Sequence, residues 1–405
     1  MNEHRHDGAL NVLIAGGGVA GLEALLALKK LAQDRVVIEV LAPEPQFWYR
    51  PLATGEPFGL GNVHGLDLSA VAHETGALFT LGRLGSIDPW SRTASTAAGV
   101  EASYDALLIA VGARPAVAVP GAFTFRGPAD SEAFAVLLDG LGEDATHRVV
   151  FALPGGVSWP LPLYELALET AARLDRQGAK VEVVVATHEE APLELFGPAA
   201  SATIASLLTD RGIELRTSTY AVAFDGGSLE VKPDGAIAAD RVIAMPRLQA
   251  PTITGVPTDG RGFIPTDDHG RVHGLDCVFA AGDITTFPVK QGGLAAQQAD
   301  AAAEAIAELA GADVDPEPFR PVLRGLILTG DRPVFARAEL DHPGAQTLIG
   351  SEPLWWPPGK IVGRYLAPFL AAHAGAIVAR PTSSAVRVEA DFSSLLDAKY
   401  DKLPG

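Results

Sequence analysis

A glycine-rich turn between a short apolar run and a helical pattern constrains this chain more than any other feature. Residues 12–15 (Val-Leu-Ile-Ala) are too few for anything but a buried strand, and Gly-Gly-Gly-Val-Ala-Gly follows at residues 16–21. A helical pattern then occupies residues 22–32, and a second apolar strand occupies residues 36–41. This order predicts a βαβ unit of the kind that binds a dinucleotide.

Each glycine of the turn has a separate role in such a unit. Gly16 permits the tight turn out of the strand, Gly18 lets the backbone approach a pyrophosphate, and Gly21 lets the helix pack against the strand. The N-terminal amides and the dipole of the helix then face the phosphates. The sequence therefore predicts a phosphate-binding turn at this point.

The acidic residue that usually binds the ribose hydroxyls in such a unit is missing from its expected place. It should fall near Ala42, whose side chain cannot accept a hydrogen bond. Glu44 lies two residues later and is the best substitute, whereas Glu39 lies inside the predicted strand and is a poorer one. We therefore expect Glu44 to contact the ribose.

Length, hydropathy and charge narrow the class of protein. A chain of 405 residues, 48% of them hydrophobic, with a mean hydropathy of +0.19, can bury the cores of two or three domains. The net charge of -18 repels the phosphate backbone of nucleic acids. The first ten residues lack the apolar core of a secretory signal, and no run of about 18 apolar residues is present to span a membrane. We expect a cytoplasmic protein that does not bind nucleic acid.

Cysteine and histidine usage excludes several kinds of site. Cys277 is the only cysteine, so one chain cannot form an intramolecular disulfide or a dithiol redox pair. Its place in an apolar strand predicts a small buried side chain and not a reactive thiol. The histidines form no pair at metal-ligand spacing beside a carboxylate, and we therefore predict no metal site.

The α/β order recurs along the chain. After the first unit, the pattern predicts a helix at 66–73, short antiparallel strands at 77–81, 85–88, 93–97 and 101–104, and a buried strand that ends at Gly112. A second section has a helix at 131–141, a strand at 148–153, a helix at 163–177, a strand at 180–186 and a helix at 199–211. A strand that ends at Gly282-Asp283, a helix at 294–309 and a hairpin at 323–328 and 333–340 follow. The repetition indicates a duplicated dinucleotide-binding architecture.

Three markers in this order resemble those of the flavoproteins with two dinucleotide-binding domains: GGGVAG at 16–21, YDALLIAVGARP at 104–115 and CVFAAGD at 277–283. That family includes the pyridine nucleotide-disulfide oxidoreductases, type II NADH dehydrogenases, sulfide:quinone oxidoreductases and flavocytochrome c sulfide dehydrogenases. The resemblance implies an α/β fold with two Rossmann-like domains, the first discontinuous, and a small C-terminal domain. The implied boundaries are 8–120 and 255–312 for the FAD-binding domain, 121–254 for the second (NAD-like) domain and 313–405 for the C-terminal domain.

The resemblance also implies which residues bind FAD. Gly112 and Arg114 would flank the cofactor, and Asp283 would accept hydrogen bonds from its ribityl or pyrophosphate side. The helix after Gly293 would point its amides at the pyrimidine edge of the flavin, where Lys290 would add positive charge as the one candidate catalytic residue. The full implied set is Gly16, Gly18, Gly21, Glu44, Arg50, Pro51, Gly112, Arg114, Gly282, Asp283, Lys290, Gln291, Gly292 and Gly293.

The loop of the second domain departs from the family pattern. Residues 153–165 read LPGGVSWPLPLYE, which lacks GxGxxG and places bulky side chains where backbone should meet pyrophosphate. The loop is similar to the Cys-Pro-Pro-Gly-Pro-Tyr-Glu segment of the sulfide-oxidising branch, with Ser158 at the position of the reactive cysteine. A serine hydroxyl is not nucleophilic at neutral pH as a thiolate is, so a cysteine persulfide mechanism is not expected.

The C-terminal part contains an apolar stripe at helical spacing. The stripe consists of Ile361, Val362, Tyr365, Leu366, Phe369 and Leu370, with Lys360 and Arg364 beside it and Trp355-Trp356 ahead of it. One interpretation is peripheral docking on the inner face of a membrane, as in relatives that reduce quinone. The other is a helix that covers the flavin pocket or forms a homodimer interface.

These observations support three functions. The leading one is an FAD-dependent oxidoreductase that passes electrons from an unidentified small-molecule donor to an acceptor such as a quinone. The second is an NAD(P)H-dependent flavoprotein reductase in which Gly155-Gly156 and the helix near Leu163 hold the nicotinamide nucleotide. The third is a flavin-binding protein without catalysis.

Overall fold

The computed structural model describes residues 8–61, 63, 65–143, 147–233, 235–340 and 347–373. Residues 1–7 and the last part of the predicted C-terminal domain lie outside these residues. The first part of the chain forms, in order, β1 (Leu10–Ala15), α1 (Val19–Leu31), β2 (Val36–Ala42), β3 (Gln46–Trp48), β4 (Gly65–Asp67), α2 (Leu68–Thr75), β5 (Leu78–Leu81), β6 (Leu84–Asp88), β7 (Thr93–Thr96), β8 (Glu101–Ser103) and β9 (Ala106–Ile109).

The middle and last parts alternate strands and helices again. The middle part forms β10 (Arg114–Ala116), β11 (Phe123–Thr124), α3 (Ser131–Glu143), β12 (Arg148–Leu153), α4 (Leu161–Gln177), β13 (Glu182–Thr187), α5 (Pro198–Asp210), β14 (Glu214–Arg216), β15 (Tyr220–Phe224), β16 (Ser228–Lys232), β17 (Gly235–Ala238), β18 (Arg241–Ala244) and β19 (Arg247–Gln249). The last part forms β20 (Val278–Ala280), α6 (Gly292–Leu309), β21 (Val322–Ile327), β22 (Val334–Glu339), β23 (Thr347–Gly350) and α7 (Leu366–Ala372).

The first sheet has the strand order β20-β9-β1-β2-β5, and all its strand pairs are parallel. Strands β20, β9, β1 and β2 are largely buried, because α1 and α6 pack together on one face and a cluster around Leu13 and Leu107 covers the other, whereas the edge strand β5 is partly exposed. Strand β5 was expected to pair antiparallel, and that expectation is wrong: it extends the sheet in parallel beside β2. Strands β6, β7 and β8 form the predicted antiparallel sheet.

The second sheet repeats the design with the order β11-β18-β12-β13-β14, again with parallel pairs throughout. Helices α3, α4 and α5 pack around it, and β15, β16 and β17 form a separate antiparallel sheet. These two sheets confirm the predicted α/β class with two Rossmann-like folds.

The C-terminal part is divided between the two folds. The antiparallel sheet β21-β22-β23 packs its apolar side chains into the core around α4. The predicted stripe enters the other core, where Ile361, Leu366 and Leu370 pack against α1. Regular helix begins only at Leu366, and residues 351–365 are largely irregular. In the described part of the chain, every helix is too short or too polar to span a lipid bilayer.

Cys277 is not inside a strand, contrary to the sequence-based expectation. Strand β20 begins at Val278, and Cys277 precedes it in the left-handed region (φ 59°) with a partly exposed side chain. It therefore lies at the amino end of a parallel strand, whereas cofactors bind at the carboxyl ends. This position separates the thiol from the carboxyl edge of the first sheet.

Candidate active site at the junction of the two folds

The glycine turn lies at the carboxyl edge of the first sheet and is built as the sequence predicts. A Cβ on Gly16 (φ 134°) would collide with the carbonyl oxygen of Ala110, and one on Gly21 would collide with the carbonyl oxygen of Gly16. Gly18 has open space at the Cβ position and precedes α1, which begins at Val19 and has no side-chain cap. The N–H groups of the first turn are thus available to an anion, and the turn fits a dinucleotide phosphate.

Other predicted residues lie around the same edge. Gly112 has φ 66° with open space at its Cβ position, and Arg114 begins β10, which pairs with β19 and so joins the two folds. Glu44 is exposed just after β2, where a ribose contact is required. Glu39 accepts a hydrogen bond from the hydroxyl of Thr80 (2.6 Å), which makes it a structural residue.

A cavity of about 260 Å³ lies where the first fold, the second fold and the C-terminal sheet meet. It is lined by Arg50, Pro51, Ala53, Thr54, Phe125, Arg126, Gly127, Trp159, Leu161, Pro162, Glu165, Met245, Pro246, Asp283, Lys290, Gln291, Gly292, Arg324, Gly325, Leu326 and Lys360. Six of these belong to the predicted cofactor set, and all six come from the first fold. The predicted residues therefore form two groups, one at the glycine turn and one in this junction cavity.

Asp283 and Lys290 both line the junction cavity and interact electrostatically. Burial raises the pKa of the Asp283 carboxyl, and the charges of Lys290 and Arg50 oppose that rise. Burial lowers the pKa of the Lys290 ammonium to about 8, while Asp283 opposes the fall. The ammonium also donates to the carbonyl of Thr285 and lies 4.3 Å from the ring centre of Phe263. Lys290 is thus a partly buried cation and not a solvated loop lysine.

Helix α6 begins at Gly292, two residues before the predicted start, and Gln291 is its cap. The Gln291 side-chain oxygen accepts from the backbone N–H of Leu294 (2.9 Å), and its amide donates to the carbonyl of Arg324 (3.2 Å). Both ends of the side chain are therefore used within the protein, although Gln291 lines the cavity. Gly293 lies inside the first turn, directly against the capping side chain. The helix start is fixed close to the cavity wall.

Glu165 and Lys360 form a buried ion pair in the wall of the cavity, which the sequence did not predict. Glu165 on α4 and Lys360 are 1% and 8% exposed, and the ammonium lies 2.6 and 2.7 Å from the two carboxylate oxygens. The hydroxyl of Thr54 (2.8 Å) and the backbone N–H of Leu328 (2.9 Å) also donate to Glu165. One carboxylate therefore joins both folds, the C-terminal sheet and the C-terminal segment.

The loop before α4 is closed to a nucleotide in the usual mode. Trp159 lines the junction cavity and packs against Phe196 with ring centres 6.0 Å apart. The carboxylate after β13 is Glu189, at the position where a Rossmann fold holds a ribose. It is 3% exposed and accepts hydrogen bonds from the hydroxyls of Tyr164 (2.5 Å) and Thr187 (2.9 Å). The residues present do not fit a nicotinamide nucleotide in that mode.

Two parallel folds, a glycine turn at the first sheet and a cavity at their junction together define an FAD-dependent oxidoreductase. The chain belongs to the pyridine nucleotide-disulphide oxidoreductase family, whose pattern matches residues 10–306. Family membership confirms the predicted recognition, the enzyme class and FAD as the cofactor.

Curated relatives agree with this class, and solved structures agree with the fold. The chain is 28% identical over 300 residues to a NADH dehydrogenase-like protein of Mycobacterium tuberculosis, covering 67% of this chain and 72% of that protein. It is 29% identical over 304 residues to the ferredoxin reductase component of a chlorobenzene dioxygenase from Cupriavidus, covering 70% and 69%. The structure of sulfide:quinone oxidoreductase from Aquifex aeolicus matches with a TM-score of 0.78 at 21% identity, covering 85% of this chain and 87% of that one.

Proposed function

We propose that this protein passes electrons from a small-molecule donor through FAD to a quinone, without a cysteine persulfide. The observation that carries the proposal is the junction cavity, which brings the predicted flavin residues of the first fold against an apolar wall of the second. Among the described residues that line it there is no cysteine, and Cys277 lies at the far end of β20. FAD supplies the two-electron chemistry when it is bound.

The residues of the first fold bind and orient the cofactor in this proposal. The turn at Gly16, Gly18 and Gly21 holds the pyrophosphate on the amides of α1, and Glu44 accepts from the ribose. Asp283, which lines the junction cavity, would accept hydrogen bonds from the ribityl or pyrophosphate side of the cofactor. Lys290 and the N-terminus of α6 would supply positive charge and amide dipoles that favour the reduced form of the flavin.

The opposite wall suits a quinone ring. It presents apolar side chains from the second fold and the C-terminal sheet, namely Phe125, Trp159, Leu161, Met245 and Leu326. Apolar walls with a few placed polar groups are typical of sites for small aromatic ligands. Lys360 holds exchangeable protons on Nζ at the same wall, and its pairing with Glu165 fixes the position of that nitrogen. Bulk water has little access to the Glu165–Lys360 pair, because both side chains are almost fully buried.

A second candidate function is NAD(P)H-driven reduction, which the naming of the relatives as NADH dehydrogenase-like and ferredoxin reductase favours. It requires the nucleotide to bind outside the usual mode, because Trp159 and the inward-turned Glu189 do not fit that mode. Peripheral membrane contact and a homodimer remain predictions. Most side chains of the apolar stripe that suggested them pack into the core of the first fold.

The test is anaerobic reoxidation of the photoreduced, FAD-loaded protein. We expect a short-chain ubiquinone analogue to restore the oxidised visible spectrum within seconds, and NAD⁺ to leave it unchanged. Reoxidation by NAD⁺ that is faster than by the quinone would establish the second candidate. Failure of the quinone to react at all would overturn the proposed acceptor.

A further inference from the structure

The C-terminal sheet contributes a cation to the junction cavity that neither the cofactor assignment nor the quinone wall uses. Arg324 lies in the middle of β21 and lines the cavity with Leu326. On the same strand, Leu323 is fully buried, and a Cβ on Gly325 would lie 2.7 Å from Leu161 and 2.8 Å from Phe196. The strand is therefore packed closely against Leu161 and Phe196, and this packing fixes the position of Arg324 in the lining of the cavity.

Arg324 has no counter-ion in the part of the chain that the structure describes. No carboxylate there pairs with it, and its buried Nε has no hydrogen-bond partner. Its cross-strand neighbour is another cation, Arg337, which pairs with Glu339 at 2.8 Å. Burial lowers the pKa of the Arg324 guanidinium, and the positive charge of Arg337 lowers it further. A desolvated cation opposite a like charge is unfavourable, and an anion would relieve it.

The side chains that line the cavity carry a net positive charge, as Arg324 does. Five cationic side chains and two carboxylates line it, in a chain whose net charge is -18. Glu165 neutralises Lys360, Asp283 interacts with Lys290, and Asp130 lies 3.7 Å from Arg126. Arg50 also interacts with Asp283, so Arg324 is the cavity cation that has no carboxylate partner among the described residues. A positive pocket in an acidic protein concentrates small anions.

We infer that the electron donor of this enzyme is an anion whose carboxylate group binds the guanidinium of Arg324. The inference rests on the proposed function, because the proposed acceptor, a quinone, is neutral and leaves the donor as the charged substrate. The planar guanidinium fork matches a carboxylate in two parallel hydrogen bonds. The apolar wall that includes Trp159 and Leu326 receives the rest of a small organic acid, so the donor and the quinone use the same wall in turn.

The experiment compares benzoate with benzamide, its neutral isostere, as ligands of the FAD-loaded protein. Binding is followed by perturbation of the visible flavin spectrum and by the shift in Tm. We expect benzoate to bind about tenfold or more tightly than benzamide, and Arg324→Met to weaken benzoate about 10- to 100-fold, as expected for hydrogen bonds to a charged group. Arg337→Met is the matched control, because Arg337 lies opposite on β22 and does not line the cavity. It should change benzoate affinity less than about twofold.

Several results would overturn the inference. Equal affinities for benzoate and benzamide, or unchanged benzoate binding in Arg324→Met, would do so. A change in flavin reduction potential in Arg324→Met with unchanged benzoate affinity would assign the cation to the cofactor instead. If that variant does not fold, Arg324→Lys replaces it, with a smaller loss expected because the bidentate fork is absent. A wild-type protein that is reoxidised by quinone and binds no benzoate would refute only this inference. A protein that binds benzoate and is not reoxidised would refute only the proposed acceptor.

Discussion

The two parallel folds share an element order, β1-α1-β2 in one and β12-α4-β13 in the other, but differ at the turn between strand and helix. In the first fold Gly18 leaves open space before α1, and the carboxylate after the second strand, Glu44, is exposed. In the second fold Pro160 precedes α4, and the corresponding carboxylate, Glu189, is buried under Tyr164. The same architecture is therefore open to a dinucleotide in one half and forms a wall of the junction cavity in the other.

The helices of the two folds have one feature in common, a buried glutamate that anchors the C-terminal segment. Glu23 on α1 accepts the backbone N–H groups of Tyr365 (2.7 Å) and Leu366 (2.8 Å). Glu165 on α4 binds Lys360. The segment is thus fixed to both folds within a few residues, and it closes the junction between them.

Breaking the anchor on the second fold should have the largest effect. Glu165→Leu leaves the ammonium of Lys360 buried without its counter-ion, and we expect a loss of about 3–5 kcal/mol in the free energy of unfolding. The double variant Glu165→Leu/Lys360→Leu should recover most of that loss, because no unpaired charge remains. Urea denaturation of the three proteins measures the coupling. Equal losses in the single and double variants would refute the buried pair as the anchor.

Blocking the turn of the first fold should come next. Gly16→Ala forces a side chain onto a φ of 134° and against the carbonyl of Ala110, so we expect a loss of about 2–4 kcal/mol and little bound flavin. Gly155→Ala is the matched change in the second fold. Its Cβ would meet only the ring of Tyr220, at 3.2 Å, and flavin content should be unchanged. Equal flavin loss in both variants would remove the distinction between the folds.

The buried carboxylate of the second fold predicts a pH dependence. Burial raises the pKa of Glu189 to about 7, so the folded protein retains a proton that the unfolded chain loses above its ordinary value of 4.5. The contribution of Glu189 to stability is therefore complete at low pH and is lost as the pH rises from about 4.5 to 7. Glu189→Gln cannot lose this proton. Relative to wild type it should gain about 2–3 kcal/mol between pH 5 and 8, measured by urea denaturation. A constant difference across that range would contradict the assignment.

The smallest effect is expected at the exposed carboxylate of the first fold. Glu44→Ala should weaken FAD binding about tenfold, the loss of one hydrogen bond to a charged group, and leave the Tm of the FAD-free protein unchanged. Titration of that protein with FAD measures the affinity. Exposed Glu190 follows the corresponding strand of the second fold, and Glu190→Ala is the control. The same loss in both variants would assign the effect to overall charge.

The sequence predicted those parts of the structure that depend on local pattern. The turn at residues 16–21, the strand at 148–153 and the hairpin around Leu323 follow from periodicity and glycine placement, and the structure has them within one to three residues. Periodicity does not identify the partner of a strand, so β5 was assigned to the wrong sheet. The expected burial of Cys277 was wrong because its strand begins one residue later.

The junction cavity could be predicted only in part. Asp283 and Lys290 indicate the predicted cofactor side, because Asp283 ends the third marker and Lys290 lies just before a recognisable helix. Glu165 and Lys360 are 195 residues apart in the sequence. Arg324 is notable only because no carboxylate among the described residues pairs with it. Contacts of this kind depend on tertiary packing. The motif LPLYE, which contains Glu165, was the one available signal.

An anaerobic titration of the FAD-loaded protein with NADH, followed by the visible absorbance of the flavin, tests the contrast between the two folds most directly. If only the first fold binds a dinucleotide in the usual mode, the oxidised spectrum should persist with NADH in excess. Bleaching at one equivalent of NADH would show that the second fold is also a nucleotide site, and would contradict its assignment as a wall of the junction cavity.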